Sequence, residues 1–108
     1  MSDPKLSNLQ FLVLGVLRAG PRTGRAVRTE LERFDVRKSG PAFYQMMSRL
    51  EAAGFVKGWY TQQVVAGQII RERHYELEAA GSGAWNLNRD FQLEVIRRFG
   101  DLEEPAGA

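Results

Sequence analysis

Up to Gly54 the apolar residues recur with a helical period, and beyond it the period becomes that of extended chain. The first segment runs from an N-cap at Ser7 or Asn8 to Arg18. It carries Leu9, Phe11, Leu12, Val13, Leu14, Val16 and Leu17 almost all round, which on a short helix implies burial from two sides. The "AGPRTG" run breaks it through Gly20 and Pro21. A second helix is predicted from Gly24 to Phe34, with Val27, Leu31 and Phe34 inward and Arg25, Arg28, Glu32 and Arg33 outward. After the polar "DVRKSGP", Ser39, Gly40 and Pro41 open a third helix that Gly54 ends. Its Phe43, Met46, Met47 and Leu50 fall at i, i+3, i+4 and i+7 and make one apolar stripe. Tyr44, Gln45, Ser48 and Arg49 are left on the other side.

From Phe55 onward "FVKGWYTQQ" and "IIRERHYELE" are rich in aromatic and β-branched residues, and the "VAGQ" between them holds a glycine where a hairpin needs an unusual backbone angle. The two strands form a hairpin longer than three short helices can cover, so its tip projects. By the two-residue period Arg71, Arg73, Tyr75 and Leu77 share a face: Tyr75 and Leu77 close on the core, and the arginines continue beyond it. Ala79 to Phe99 reads as one helix of about 30 Å. Ala80, Ala84, Leu87, Phe91 and Val95 form its stripe, and Trp85, Ile96 and Phe99 widen it. This apolar excess, with that of the first helix, is satisfied by a homodimer interface through Leu9, Phe11, Leu12, Trp85, Leu87, Phe91, Val95, Ile96 and Phe99. The expected organisation is a unit over 1–78, a dimerisation helix over 79–100 and a disordered acidic tail over 101–108.

Charge sharpens this picture. The net charge is only +2, yet residues 18–49 hold eight Arg or Lys against three acids, whereas residues 78–108 hold three Arg against six acids. Such an asymmetry reads as one surface for a polyanion and another kept away from it. Arginine outnumbers lysine twelve to three. That choice suits bidentate recognition of phosphates and guanine edges, although a GC-rich genome would produce the same bias.

The chemistry of catalysis is missing from the pattern. There is no cysteine, which excludes a disulfide scaffold, a thiol nucleophile and a thiolate zinc site. The single histidine, His74, lies in a strand without the spacing of a metal site. No P-loop, GxGxxG or GxSxG occurs, and "GSG" at 81–83 has no strand and turn before it suited to phosphate. No enzyme activity, metal or cofactor is expected. The longest apolar run, "FLVLGVL", is far short of the roughly 20 residues that span a bilayer, and no secretion signal precedes it. A cytoplasmic protein without a membrane partner is expected.

Three helices, a hairpin and a further helix describe an α+β, mainly α, winged helix-turn-helix, with the third helix in position to enter a major groove and the hairpin as the wing. Candidate DNA contacts are Arg22, Thr23, Arg25, Lys38 and Ser39 before and around the helix-turn-helix, Tyr44, Gln45, Ser48 and Arg49 on the third helix, and Gln68, Arg71 and Arg73 on the wing. An aromatic slot between subunits, lined by Phe11, Trp85 and Phe91, is a candidate ligand site. The alternative is a winged-helix module that binds another protein and no DNA, because fold alone does not fix function.

The stretches "LQFLVLGVL", Gly24, "AFYQMMSRLEAAGFV" and "HYELEAAG" resemble the patterns of the PadR-like transcriptional regulators. Most specific is the "YxxxxRLExxG" part, Tyr44 to Gly54. The resemblance implies a homodimeric repressor of double-stranded DNA, with Tyr44 at the operator and the last helix packed on the partner's first and last helices. It also implies, for some members, release by a small planar aromatic effector. Three positions depart from the family pattern: Gln45 stands where proline is usual, Arg25 where an aromatic is common, and Glu78 where threonine usually precedes the last helix.

Overall fold

A computed structural model describes residues 5–105. The expected α+β, mainly α, class holds, with four α-helices and a three-stranded antiparallel sheet among the described residues. Helix α1 (Asn8–Val16) starts in a reciprocal cap: Ser7 Oγ accepts from the Gln10 amide at 3.1 Å and Gln10 Oε1 accepts from the Ser7 amide at 3.0 Å. A single 3₁₀ turn over Leu17–Ala19 ends it. Helix α2 (Gly24–Glu32) is capped by Thr23, and α3 (Gly40–Ala52) by Ser39 with Pro41 in its first turn. At the far end of α3, Gly54 has φ 78°; its amide donates to Glu51 and the Phe55 amide to Leu50. This paired closure satisfies carbonyls the helix leaves open.

Strands β2 (Val56–Val65) and β3 (Gln68–Leu77) pair over their full length. The turn between them places Ala66 and Gly67 at φ 51° and 80°, the double positive φ that a tight type I′ hairpin needs. A third strand, β1 (Arg22–Thr23), pairs with β3 and gives the sheet order β1-β3-β2. Two residues are too short to show a period, so sequence pattern leaves this strand invisible.

The core collects Val13, Leu14 and Leu17 from α1, Val27 and Leu31 from α2, Phe43, Met47 and Leu50 from α3, and Val56 and Tyr75 from the sheet. Phe34 is a correction: expected inward, it is 62% exposed. Helix α2 ends at Glu32, the chain turns through Asp35 at φ 58°, and Val36 packs on the core instead.

Helix α4 (Ala79–Phe99) has the predicted bounds, but only its first two turns pack on the body, through Gly81, Ala84 and Trp85. Glu78 occupies its N-cap without a side-chain hydrogen bond, as the missing threonine suggested. Farther along, the helix carries Leu87, Phe91, Leu93, Ile96 and Phe99 exposed. Together with the wing this stretches the chain to 63 Å and a radius of gyration of 17.2 Å, against about 13 Å for a compact domain of 100 residues. Of the acidic tail, Asp101 and Leu102 continue from α4 in a turn and bend, residues 103–105 have no regular structure, and residues 106–108 lie outside the described range. No helix among the described residues is long and apolar enough to cross a membrane.

The root of α4 depends on close approach. A Cβ at Gly81 would collide with the Phe55 carbonyl and come within 2.9 Å of Leu77, whereas one at Gly83 would meet open space. Gly81→Ala is therefore expected to lower stability by about 1–3 kcal/mol through overpacking, and Gly83→Ala to raise it by about 0.5–1 kcal/mol through helix propensity. Urea titrations of the two variants beside the parent check the opposite signs.

Candidate nucleic-acid interface

The outer side of α3 is the centre of the site. Tyr44, Gln45, Ser48 and Arg49 are all exposed while Phe43, Met47 and Leu50 are buried beneath them, so the side set apart by periodicity is the side left to solvent. Tyr44 is not a free-standing group. Its ring meets Phe43 edge to face at 5.0 Å between centroids and lies across Gly24, where a Cβ would come within 2.8 Å of its hydroxyl. The phenol is thereby fixed between α2 and α3 with its edge outward.

Two clefts flank this face. The first lies between α2 and the start of α3 and is lined by Arg28, Leu31, Glu32, Val36, Arg37, Lys38 and Phe43. Arg28 Nη2 donates to the Lys38 carbonyl at 3.0 Å, which ties α2 to the loop and holds a guanidinium beside exposed Arg37 and Lys38. Sequence reasoning missed Arg28 and Arg37 as site residues. Their place in the basic segment was a signal for them, but only the fold shows that Arg28 organises the loop.

The second cleft joins α3 to the wing through Tyr44, Ser48, Glu51, Tyr60, Arg73 and Tyr75. At its floor Arg73 Nη2 donates to Glu51 Oε1 at 2.6 Å, and both side chains are roughly three-quarters buried. The guanidiniums of Arg71 and Arg73 sit 4.5 and 4.6 Å from the Tyr60 ring centroid, an attraction worth about 0.5–1 kcal/mol each at accessible sites. Behind them Tyr75 is buried, and burial pushes its phenol up to about 12, partly opposed by neighbouring Arg73.

The expected contacts thus divide. Arg25, Lys38, Gln45, Ser48, Arg49, Gln68 and Arg71 are exposed, as is the edge of Tyr44. Thr23 and Ser39 serve as helix caps, Arg22 Nε donates to the Val16 carbonyl at 3.3 Å, and Arg73 is taken up by Glu51. Of the three aromatics expected to line a slot between subunits, two already meet within the chain. Phe11 and Trp85 stack on each other at 5.0 Å with an interplanar angle of 2°, Arg18 lies 3.9 Å from the Trp85 ring centroid, and Phe91 is 69% exposed farther along α4. The first helix is consequently better covered by its own chain than its pattern suggests, and the unpartnered apolar surface is concentrated on α4.

Solved structures share this arrangement. A PadR family regulator from Clostridium difficile superposes with a TM-score of 0.69 at 17% identity, covering 86% of this chain and 98% of that one. One from Eggerthella lenta gives 0.65 at 21% identity, over 85% and 78% of the two chains. Bacillus subtilis PadR in complex with operator DNA gives 0.56 at 19% identity, over 94% of this chain and 52% of that one. Neither a protein-family model nor a curated protein sequence matches the chain. At these identities the likeness establishes the fold, a winged helix-turn-helix in which α3 is the third helix and the β2–β3 hairpin the wing.

The buried phenol gives the second cleft a pH signature. Tyr75 keeps its proton in the folded chain up to about pH 12 but loses it near 10 when unfolded, so its contribution to stability is complete below pH 10 and falls away between pH 10 and 12. In Tyr75→Phe that part of the decline should vanish. Chemical denaturation of parent and variant across this alkaline range measures it.

Proposed function

We propose that the protein is a homodimeric, sequence-specific DNA-binding transcriptional regulator, acting as a repressor at a pseudo-palindromic operator. The observation that carries this reading is the outer face of α3, where Tyr44, Gln45, Ser48 and Arg49 stand exposed between a basic cleft and an arginine-bearing wing. An amide, a hydroxyl and a guanidinium are groups that read base edges, and the N-terminal part of such a helix meets those edges in a major groove. Arg25, Arg28, Arg37 and Lys38 would neutralise phosphates on one side of the groove and Arg71 on the other, where the uncharged amide of Gln68 would add a hydrogen bond. Thr23 and Ser39 would act through the helix ends they cap, and Arg73 through the wing that it anchors.

The dimer would form along the exposed run of α4, through Leu87, Phe91, Val95, Ile96 and Phe99, extended by the Leu9, Phe11, Leu12 and Trp85 surface at its root. A planar aromatic effector would enter at that root by taking the place of Phe11 on the Trp85 ring, so its binding would be read in indole fluorescence. Two wings on one two-fold axis imply half-sites about one helical turn apart, roughly 34 Å, or a multiple of it.

The first test is fluorescence anisotropy against duplexes selected by the protein from random sequence, with scrambled controls, at several salt concentrations. Tight binding to selected duplexes alone, with log affinity falling linearly against log salt, is expected from a regulator that neutralises several phosphates. Arg49→Ala should weaken binding by about 1–3 kcal/mol and relax preference at one base position. Equal weak binding to all duplexes would reject the reading.

The dimer has its own test. Light scattering should give twice the chain mass of 12.2 kDa, and Phe91→Glu, which sets a charge at an exposed position of the apolar run, should return the protein to one chain mass, with helix content lost from no more than the outer turns of α4. A parent that runs at one chain mass at high concentration would remove the dimer from the proposal.

A further inference from the structure

We infer that the tip of the wing is a minor-groove wedge, in which the Val64–Ile69 pair enters between stacked base pairs and kinks the duplex. The inference rests on the DNA-binding reading above and deepens it. In the register of β2 and β3, Val64 lies opposite Ile69 and Gln62 opposite Arg71, and residues directly opposite in an antiparallel pair share a face. That face continues inward through Tyr60 and Arg73 to Gly58 and buried Tyr75. It is therefore the face turned toward α3, where Arg73 meets Glu51. Val64 and Ile69 are 70% and 65% exposed at its outer end. Val64 lies six residue steps beyond Gly58, a reach of about 20 Å at the rise of a strand, so the pair stands well out from the helical body.

What surrounds the pair identifies its partner. Between Glu51 and Glu72 the sequence has no carboxylate, while Gln62, Gln63 and Gln68 ring the tip and Arg71 stands beside it. Amides and a guanidinium are the donors that suit the acceptor-lined minor groove, and proteins that bind there often add an apolar wedge that unstacks one step. Two β-branched side chains facing each other form such a wedge with little conformational freedom to lose. A second copy of the wing fits less well, because a two-fold contact would set Arg71 near its equivalent with no carboxylate on either tip to answer the charge. Pyrimidine–purine steps, which kink most easily, would be favoured under the wing although no side chain reads them there.

The test uses the full chain and a duplex it selects from random sequence, with dyes at both ends, so that energy transfer reports the bend. The parent should bend the duplex by roughly 20–90°. Val64→Thr/Ile69→Thr keeps two β-branched strand formers, so the hairpin is retained, but their hydroxyls oppose insertion; this variant should lose most of the bend while still protecting the major-groove face contacted by α3. Ile69→Val, which keeps an apolar pair, should retain it. A parent that binds without bending, or a threonine variant that bends the duplex as the parent does, would overturn the wedge and leave the DNA reading intact. A threonine variant whose oligomeric mass changes while its bend does not would assign the tip to self-association and overturn it too. A parent that binds no duplex at all would remove the DNA reading, and the wedge with it.

Discussion

Burial of the Tyr75 ring holds the two halves of the molecule in one piece. Tyr75 is on the middle strand of the sheet, opposite Arg22 of β1 on one side and Gly58 of β2 on the other, and is 1% exposed against the helical core. A buried aromatic ring of this size contributes a few kcal/mol of apolar burial. Its strand position means that the same contribution fixes the base of the hairpin to the three helices. Without a large side chain there, β2 and β3 would be a two-stranded ribbon, and such ribbons are marginal in water. The phenol also gives the cleft between α3 and the wing a polar floor, on which Arg73 can be placed without being wholly desolvated.

From that anchor the wing's direction follows electrostatically. Arg73 lies one strand period outward from Tyr75, and its guanidinium reaches back to Glu51 on the last turn of α3. A charge pair three-quarters buried is costly to break one-sidedly, because the remaining charge stays out of water. The absence of a side chain at Gly58 makes room for it: a Cβ there would lie 2.6 Å from Glu51 Oε1 and 2.7 Å from Arg73 Nη2. Glycine in the middle of a strand ordinarily weakens it; here the weakness is exchanged for a tie between α3 and the wing. Tyr60, opposite Arg73 in the register, completes the tie by lying under both arginines.

The elements with a strong period were legible in the residues. The stripe of α3, the hairpin and the full span of α4 follow from spacing alone, because each holds one period along its length, although α3 packs its whole stripe on the core while α4 buries its own at the root alone. What escaped has a common cause. Strand β1 exists only because β3 offers it a free edge; Phe34 is outside because α2 stops two residues before it; Arg22 and Arg73 are drawn into internal bonds by a carbonyl and a carboxylate on other elements. Phe11 and Trp85, more than seventy positions apart, cover each other, so an apolar excess that looked like two open faces is largely one. Periodicity tells which side of an element is apolar. It cannot tell which other element has already covered that side.

The same limit explains why α4 matters more than its length suggests. Its first two turns are fixed to the body by Gly81, Ala84 and the Trp85 stack, and the rest carries apolar side chains into solvent. An unsupported helix of that size is marginal by itself, since most helical stability in proteins comes from packing an apolar face. A second chain along α4 would therefore supply both the cover and much of the order of the free turns, and the stability of that half would rise with protein concentration. Because the root of α4 is locked to the same core that carries α3, whatever angle two such helices adopt would pass rigidly to the two recognition faces. In the proposed regulator the spacing of half-sites is then set by α4 packing, and an effector that shifts Phe11 from Trp85 would act on that spacing without touching DNA.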